Sequence, residues 1–318
     1  QLELLGITGV TGDNLAAVNN AIAATADSGA DVDTLAELQN VDTVAADAAA
    51  AALTTISDYA EDNGAANPAP TVDDFTDAGV AGVTAANLDA INSALASNPI
   101  AGTDADTTAE VQTIVDAYNA ILAEANGSTA DATPADPSAD RFAAIGADIG
   151  TAATDTENLN LLNDVIGSKN TTDVDTVAEI NNLARIANAI ELTAADGTPN
   201  PALTVADLTA IGLTGVTADN LAAVLAKIAS QNNDGTTTDS LAELQTLVET
   251  VNSAIDLIKN YAEANTASAP TAPTGTAPTI IDYNNAGITG VTDGASGNLA
   301  AINDALATGT VAGAQADT

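Results

Sequence analysis

The sequence predicts an all-α protein: tandem three-helix modules of about 70 residues arranged as an elongated array. Three observations predict it. One segment recurs along the chain, apolar residues fall at i, i+3 and i+7 within each recurrence, and a Ser/Thr-x-x-Glu signature opens a long apolar stripe after it. Self-similarity at a fixed interval is the mark of repeat architectures, and a 3.6-residue period is the mark of amphipathic helices.

The recurring segment reads GITGVTGDNLAAVNNAIA from Gly6, GVAGVTAANLDAINSALA from Gly79, GLTGVTADNLAAVLAKIA from Gly212 and GITGVTDGASGNLAAINDALA from Gly287. A diverged copy begins at Gly146. The Asn-Leu pair marks five copies at Asn14, Asn87, Asn158, Asn220 and Asn298, spaced by 73, 71, 62 and 78 residues. A second marker follows the first four copies: TLAELQ at Thr34, TTAEVQ at Thr107, TVAEIN at Thr176 and SLAELQ at Ser240.

The first helix of each module is short. It carries an apolar residue four positions before a glycine: Leu2 before Gly6, Phe75 before Gly79, Phe142 before Gly146, Leu208 before Gly212 and Tyr283 before Gly287. That glycine is read as the helix stop, because glycine alone enters the left-handed C′ conformation without steric cost. Thr84 and Thr217 are read as N-caps of the second helix. Its buried stripe is expected at Leu15/Val18/Ile22, Leu88/Ile91/Leu95, Leu159/Leu162/Ile166, Leu221/Val224/Ile228 and Leu299/Ile302/Leu306.

The third helix opens on a capping box, in which a hydroxyl and a Glu three residues later satisfy each other's free backbone N–H groups. The pairs are Thr34/Glu37, Thr107/Glu110, Thr176/Glu179 and Ser240/Glu243. In the fourth copy the apolar face runs Leu241, Leu244, Leu247, Val248, Val251, Ile255, Ile258, Tyr261, a one-sided stripe. Tyr59 follows Glu37 by 22 residues and Tyr261 follows Glu243 by 18, a difference of about one helical turn that keeps the same face.

The expected divisions are 1–66, with its start truncated, then 67–133, 134–200 and 201–274, and a partial module at 275–318 that lacks its long helix. Polar, Pro-bearing stretches at 62–71, 126–138 and 266–279 are read as connectors that do not pack. Both ends are read as falling inside a module, as in a piece cut from a longer array or a chain completed by a neighbour. No signal-peptide pattern stands at Gln1. Each helix trio buries a modest core of Ala, Leu, Val and Ile, so each module alone is marginal. Neighbouring modules of the same or identical chains are the expected partners.

Composition narrows function. The chain has 44 acidic and 5 basic residues, a formal charge of −39, and no His, Cys, Met or Trp. Nucleic acid is excluded as a partner, since binding it requires basic side chains against phosphates, and an anionic membrane surface is disfavoured for the same reason. No apolar run approaches the roughly 20 residues that span a bilayer, so no membrane insertion is expected. Without His or Cys there is no ordinary zinc site, thiol nucleophile, disulfide or histidine base. No enzymatic activity and no cofactor are expected, and an extracellular or bacterial cell-surface location suits so acidic and repetitive a chain.

The residues that come nearest to chemistry are the Asp-x-Asp pairs before the third helix: Asp31/Asp33, Asp104/Asp106 and Asp173/Asp175. Oxygen-rich clusters suit Ca²⁺. The competing reading, which takes precedence here, is that these aspartates cap the helix and complement its dipole. The adjacent Asp73/Asp74 are read as solvated helix-start charges. The Gly-x-x-Gly of GITGVT lacks the lysine of a phosphate loop and is read as helix stop plus turn. Asn126-Gly-Ser and Asn170-Thr-Thr match glycosylation sequons at the frequency expected of an Asn- and Thr-rich chain.

The phrase GVTADNLAAV, the following LAELQTLV and the DYNNAGITGVT re-entry resemble repeats of very large secreted surface adhesins and biofilm-associated proteins of marine and other Gram-negative bacteria. The resemblance covers essentially the whole chain. It implies type I secretion, as in RTX-like adhesins, and a spacer or stalk that holds an adhesive tip away from the cell. It implies no binding residue here, and no adhesion ligand can be read from it. Two expectations follow: a non-catalytic spacer that is monomeric, or a self-assembling subunit of an extracellular filament or surface layer whose association strengthens with salt or Ca²⁺.

Overall fold

The computed structural model describes residues 1–26, 32–129, 136–232, 234, 236–265, 275–307 and 313. Among them the fold is all-helical, with 13 α-helices and no strand. The chain divides into two compact units, one of residues 1–153 with 166–182 and the other of residues 154–165 with 183–318.

The first unit begins with a 3-10 turn at Leu2–Leu5, then α1 (Leu15–Ala24), α2 (Leu35–Glu61), α3 (Val72–Asp77), α4 (Leu88–Leu95), α5 (Thr108–Glu124) and α6 (Ala139–Ala144). Its core is set by Val18, Ile56, Phe75, Ile91, Leu95, Val115, Tyr118, Ile121, Phe142 and Ile145, all sealed from solvent. Each such large side chain contributes roughly 1.5–3 kcal/mol on leaving water. The alanines of α2 let neighbouring backbone come close: Ala45, Ala49, Ala52 and Ala60 are all buried.

The second unit is built around most of α7 (Thr156–Gly167) and α8 (Val177–Asp196), whose residues 166–167 and 177–182 belong to the first unit, with α9 (Val205–Ala210), α10 (Leu221–Ala229), α11 (Leu241–Ala264), α12 (Ile280–Asn285) and α13 (Leu299–Leu306). Leu161, Leu162, Leu208, Ile211, Val224, Leu244, Val248 and Val251 form its core. A smaller cluster of Ile258, Tyr283 and Val291 is flanked by half-buried Leu299, Ile302 and Leu306.

The short helices α3, α9 and α12 start on boxes absent from the sequence reading: Thr71 with Asp74, Thr204 with Asp207 and Thr279 with Asp282. They stop on glycines with φ of 74° at Gly79, 109° at Gly212 and 78° at Gly287; Gly146 after α6 and Gly6 after the first turn have 71° and 89°. At all five places the residue after the glycine donates its N–H to the carbonyl five residues back: Ile7 to Leu2, Val80 to Phe75, Ala147 to Phe142, Leu213 to Leu208 and Ile288 to Tyr283. This is the six-to-one bond of a Schellman stop, which only a left-handed residue permits.

Two expectations are corrected. The helices after these glycines do not start on Thr84 or Thr217, because α4 and α10 begin at Leu88 and Leu221, behind Asn87 and Asn220. The asparagine carboxamide accepts the threonine N–H, at 2.6 Å for Thr84 and 2.7 Å for Thr217, and so closes a separate turn before the helix. The first leucine of the apolar stripe is also not core: Leu15 is exposed, and Leu88, Leu159, Leu221 and Leu299 are half-buried. The residue three positions after the marker asparagine is buried instead, as Ala17, Ala90, Leu161 and Ala223.

The connectors are also more structured than their composition implies. In 62–71 the Asp62 carboxylate accepts the N–H groups of Ala65, Ala66 and Asn67. In 126–138, Asn126 pairs with Asn170 in an isolated antiparallel bridge, and Gly127 and Ser128 donate to Lys169 and Gly167. The two sequons therefore face each other across that bridge. Residues 130–135 and 266–274 lie outside the described residues.

Candidate functional site

The recurring polar geometry sits where the glycine turns meet the long helices. The side-chain amide of Gln39 in α2 takes the N–H of Thr8 at 2.8 Å and gives its own N–H to the Thr8 carbonyl at 2.9 Å. Gln112 in α5 holds Ala81 in the same two-bond grip, at 2.8 and 3.1 Å. Gln245 in α11 holds Thr214 at 2.9 and 3.3 Å. Asn181 in α8 takes the N–H of Asp148 at 2.8 Å. A planar amide offers a donor and an acceptor side by side, which matches the backbone N–H and C=O of one extended residue.

Seven residues further along three of these helices stands an asparagine that completes a second clasp. Asn119 accepts from Asn87 at 2.6 Å, Asn252 from Asn220 at 2.6 Å and Asn188 from Asn158 at 3.1 Å. Asn119 and Asn252 also donate to the carbonyls of Gly82 and Gly215, at 3.1 and 3.0 Å. In the first copy the matching residue is Ala46, and Asn14 holds the Gly9 carbonyl alone at 2.9 Å. A groove of about 450 Å³ adjoins this place, lined in part by Asn14, Ala46, Ala49 and Asp106. The sequence reading missed both clasps; their only signal was the Gln or Asn recurring at fixed offsets from the capping-box Glu.

The capping residues are placed at the helix starts. Thr34 and Glu37, and Thr107 and Glu110, exchange both bonds of the box, as do Thr176 and Glu179 through bonds of 3.0 and 3.2 Å. Ser240 accepts from the Glu243 N–H and donates to its carboxylate at 2.9 Å.

The Asp-x-Asp residues divide between two tasks. Asp104 and Asp173 close 3-10 turns by accepting the N–H of Ala101 and Asn170 at 2.9 and 3.0 Å. Asp33, Asp106 and Asp175 each lie beside the glutamate of the following box. The bond to Glu37, then its charge, raises the Asp33 carboxyl above the ordinary range, while Glu37 is held below it by the bonds from Asp33 and Thr34. Burial, then Glu110, raises Asp106; burial, then Glu179, raises Asp175. Asp31 lies outside the described residues. Among the described residues no three acidic groups are arranged to hold a metal ion.

Two further contacts tie one sequence copy to the next. A Cβ on Gly79 would stand 2.9 Å from the Ala16 Cβ and the Ala17 nitrogen, and one on Gly287 would stand 3.0 Å from the Ala223 Cα and Cβ. Glycine is thus required twice, for positive φ and for close approach to the preceding copy's helix. Glutamates near the ends of the long helices receive the next copy's loop: Glu61 accepts the Gly102 N–H and Glu263 the Gly313 N–H, both at 2.9 Å. At the helix start, Val177 donates its N–H to Ser93 at 2.9 Å and Leu241 donates to Asp164 at 2.8 Å, so a free N–H of one copy is capped from another.

Among the described residues no helix is long and apolar enough to cross a membrane. No family model matches the chain, and neither a curated protein nor a solved structure is detectably similar to it.

Proposed function

We propose that the chain is a non-catalytic repeat segment of a secreted bacterial cell-surface adhesin, a spacer or stalk in adhesion and biofilm matrix built of tandem three-helix modules in an elongated array. The observation that carries this reading is the recurrence of one set of contacts at matching sequence offsets: glutamine grip, asparagine clasp and glycine-to-helix approach. Each set serves to fix one helix against another. The polar atoms that a binding loop would offer, such as the Gly82 and Gly215 carbonyls, are spent on internal bonds. The charge of −39 keeps such a segment from collapsing onto itself or its neighbours.

A second reading, the self-assembling subunit of an extracellular filament, is favoured by apolar side chains left in solvent. Leu5 is 61% exposed, whereas its counterparts Ala78, Ile145 and Ile211 are 0% exposed. Small-angle scattering with sedimentation separates the two. The spacer reading expects a monomer whose longest dimension grows in proportion to the number of sequence copies in truncated forms. A compact particle of unchanged length sinks it, and concentration-dependent growth favours the filament.

A further inference from the structure

The helix-end glutamates are not alike. Glu61 and Glu263 are exposed, so water shares their charge. Glu191, near the end of α8, is 0% exposed. One of its carboxyl oxygens accepts from the Thr238 hydroxyl at 3.0 Å, and Thr238 is itself 1% exposed. The other oxygen, Oε1, is buried with no hydrogen-bond partner. The charges that act on it are all of its own sign: Asp239 from the segment leading into α11, and Asp155 and Glu157 from the start of α7. A carboxylate sealed from water, half-partnered and surrounded by anions is costly, and the group answers by holding its proton.

We propose that the Glu191–Thr238 contact is a pH-sensitive latch, closed while Glu191 carries its proton and released as the proton is lost, which frees the 236–240 segment that leads into α11. Thr238 bonds either form, so the hydroxyl does not decide the outcome. What decides it is the unpartnered Oε1 and its burial. In the released state the carboxylate regains water and moves away from Asp239. Burial first, with the acidic neighbours adding to it and the Thr238 bond opposing, pushes the group up to about 7, so the latch operates near neutrality. The sign follows from linkage. The raised group adds stability that is full below the ordinary carboxylate range and is lost as pH rises through about 7.

The test uses the whole chain. Carboxyl ¹³C shifts, with Glu191 assigned through bonds from its own backbone resonances, should give a midpoint near neutrality. Amide exchange of residues 236–241, corrected for intrinsic chemistry, should accelerate on the order of 100-fold between pH 5 and pH 9. Glu191→Gln keeps the shape without the charge and should hold that segment closed across the range. A Glu191 midpoint in the ordinary carboxylate range overturns the proposal, as does the same pH dependence of exchange in both proteins. The titration of the unaltered chain decides the matter even if the variant folds poorly.

Discussion

Asn87 donates to the carboxamide oxygen of Asn119 at 2.6 Å, and both side chains donate to the Gly82 carbonyl, so one glycine turn, one short helix and one long helix meet at a single oxygen. Removing one partner of a part-buried clasp leaves the others underpaired, which costs about 1–3 kcal/mol. Asn119→Ala and Asn252→Ala should each lower stability by about 1–2 kcal/mol, read as the midpoint of urea unfolding. The first copy carries the opposite experiment in Ala46. Ala46→Asn places a carboxamide beside the groove next to Asn14 and should raise stability by about 0.5–1 kcal/mol. Equal midpoints for all three variants would show that the clasps carry no net energy.

Gly79 and Gly290 separate the two demands on the recurrent glycines. Both have positive φ, 74° and 83°, but a Cβ on Gly79 meets Ala16 and Ala17 at 2.9 Å while one on Gly290 meets nothing within 4 Å. Gly290→Ala should therefore cost only the left-handed strain, about 1 kcal/mol. Gly79→Ala adds displacement of a packed helix and should cost about 2–4 kcal/mol in all. Thermal unfolding with both variants checks the difference. Similar losses would mean that the close approach is easily relieved.

The parts of this fold that were legible in the sequence are those that residues settle within one turn. Thr107 and Glu110 are three apart, so their spacing alone puts each within reach of the other's backbone. The stop at Gly79 is local for the same reason. The clasp between Asn87 and Asn119 spans 32 residues, and nothing in either neighbourhood points to the other. The burial of Ala17 was hidden likewise, because Gly79, which approaches its backbone, is a residue of the next copy. A periodicity argument weighs Leu15 above Ala17, since it scores side chains and not their neighbours. The Asp-x-Asp pairs allowed two readings in the sequence, and at Asp104 and Asp173 the local one describes the bond: one carboxylate oxygen of each accepts a backbone N–H three residues earlier.

Asp207 accepts from Thr204 and from Arg185 across to α8, and these bonds, the threonine first, hold its carboxyl below the ordinary range against the effect of burial. A depressed carboxyl contributes stability that is present above the unfolded value and lost as pH falls through the folded one. The loss should appear as pH falls below the ordinary carboxylate range, about pH 4. Arg185 is 52% exposed, so the ion pair itself adds no more than a few tenths of a kcal/mol, and the threonine bond dominates. Thr204→Val should remove more of the acid dependence than Arg185→Gln, measured as the difference in unfolding midpoint between pH 5 and pH 2.5. The reverse order would assign the depression to the guanidinium.

Salt and calcium act on this chain through different physics, and a matched comparison separates them. With 44 acidic and 5 basic residues the folded chain repels itself, and that repulsion is screened as the Debye length falls from about 30 Å at 0.01 M to about 3 Å at 1 M salt. Unfolding temperature should therefore rise with NaCl over that range. Ca²⁺ at matched ionic strength should do no more than Mg²⁺, because both act as diffuse counterions where no three acidic groups among the described residues are arranged around an ion. The ordering matters because Ca²⁺ suits six to eight oxygens and Mg²⁺ a smaller octahedral site, so a built site would tell them apart. A rise produced by micromolar Ca²⁺ and not by Mg²⁺ would revive the aspartate pairs as ligands. Sedimentation in the same buffers completes the comparison: a spacer stays monomeric in both salts, whereas a filament subunit associates as its charge is screened.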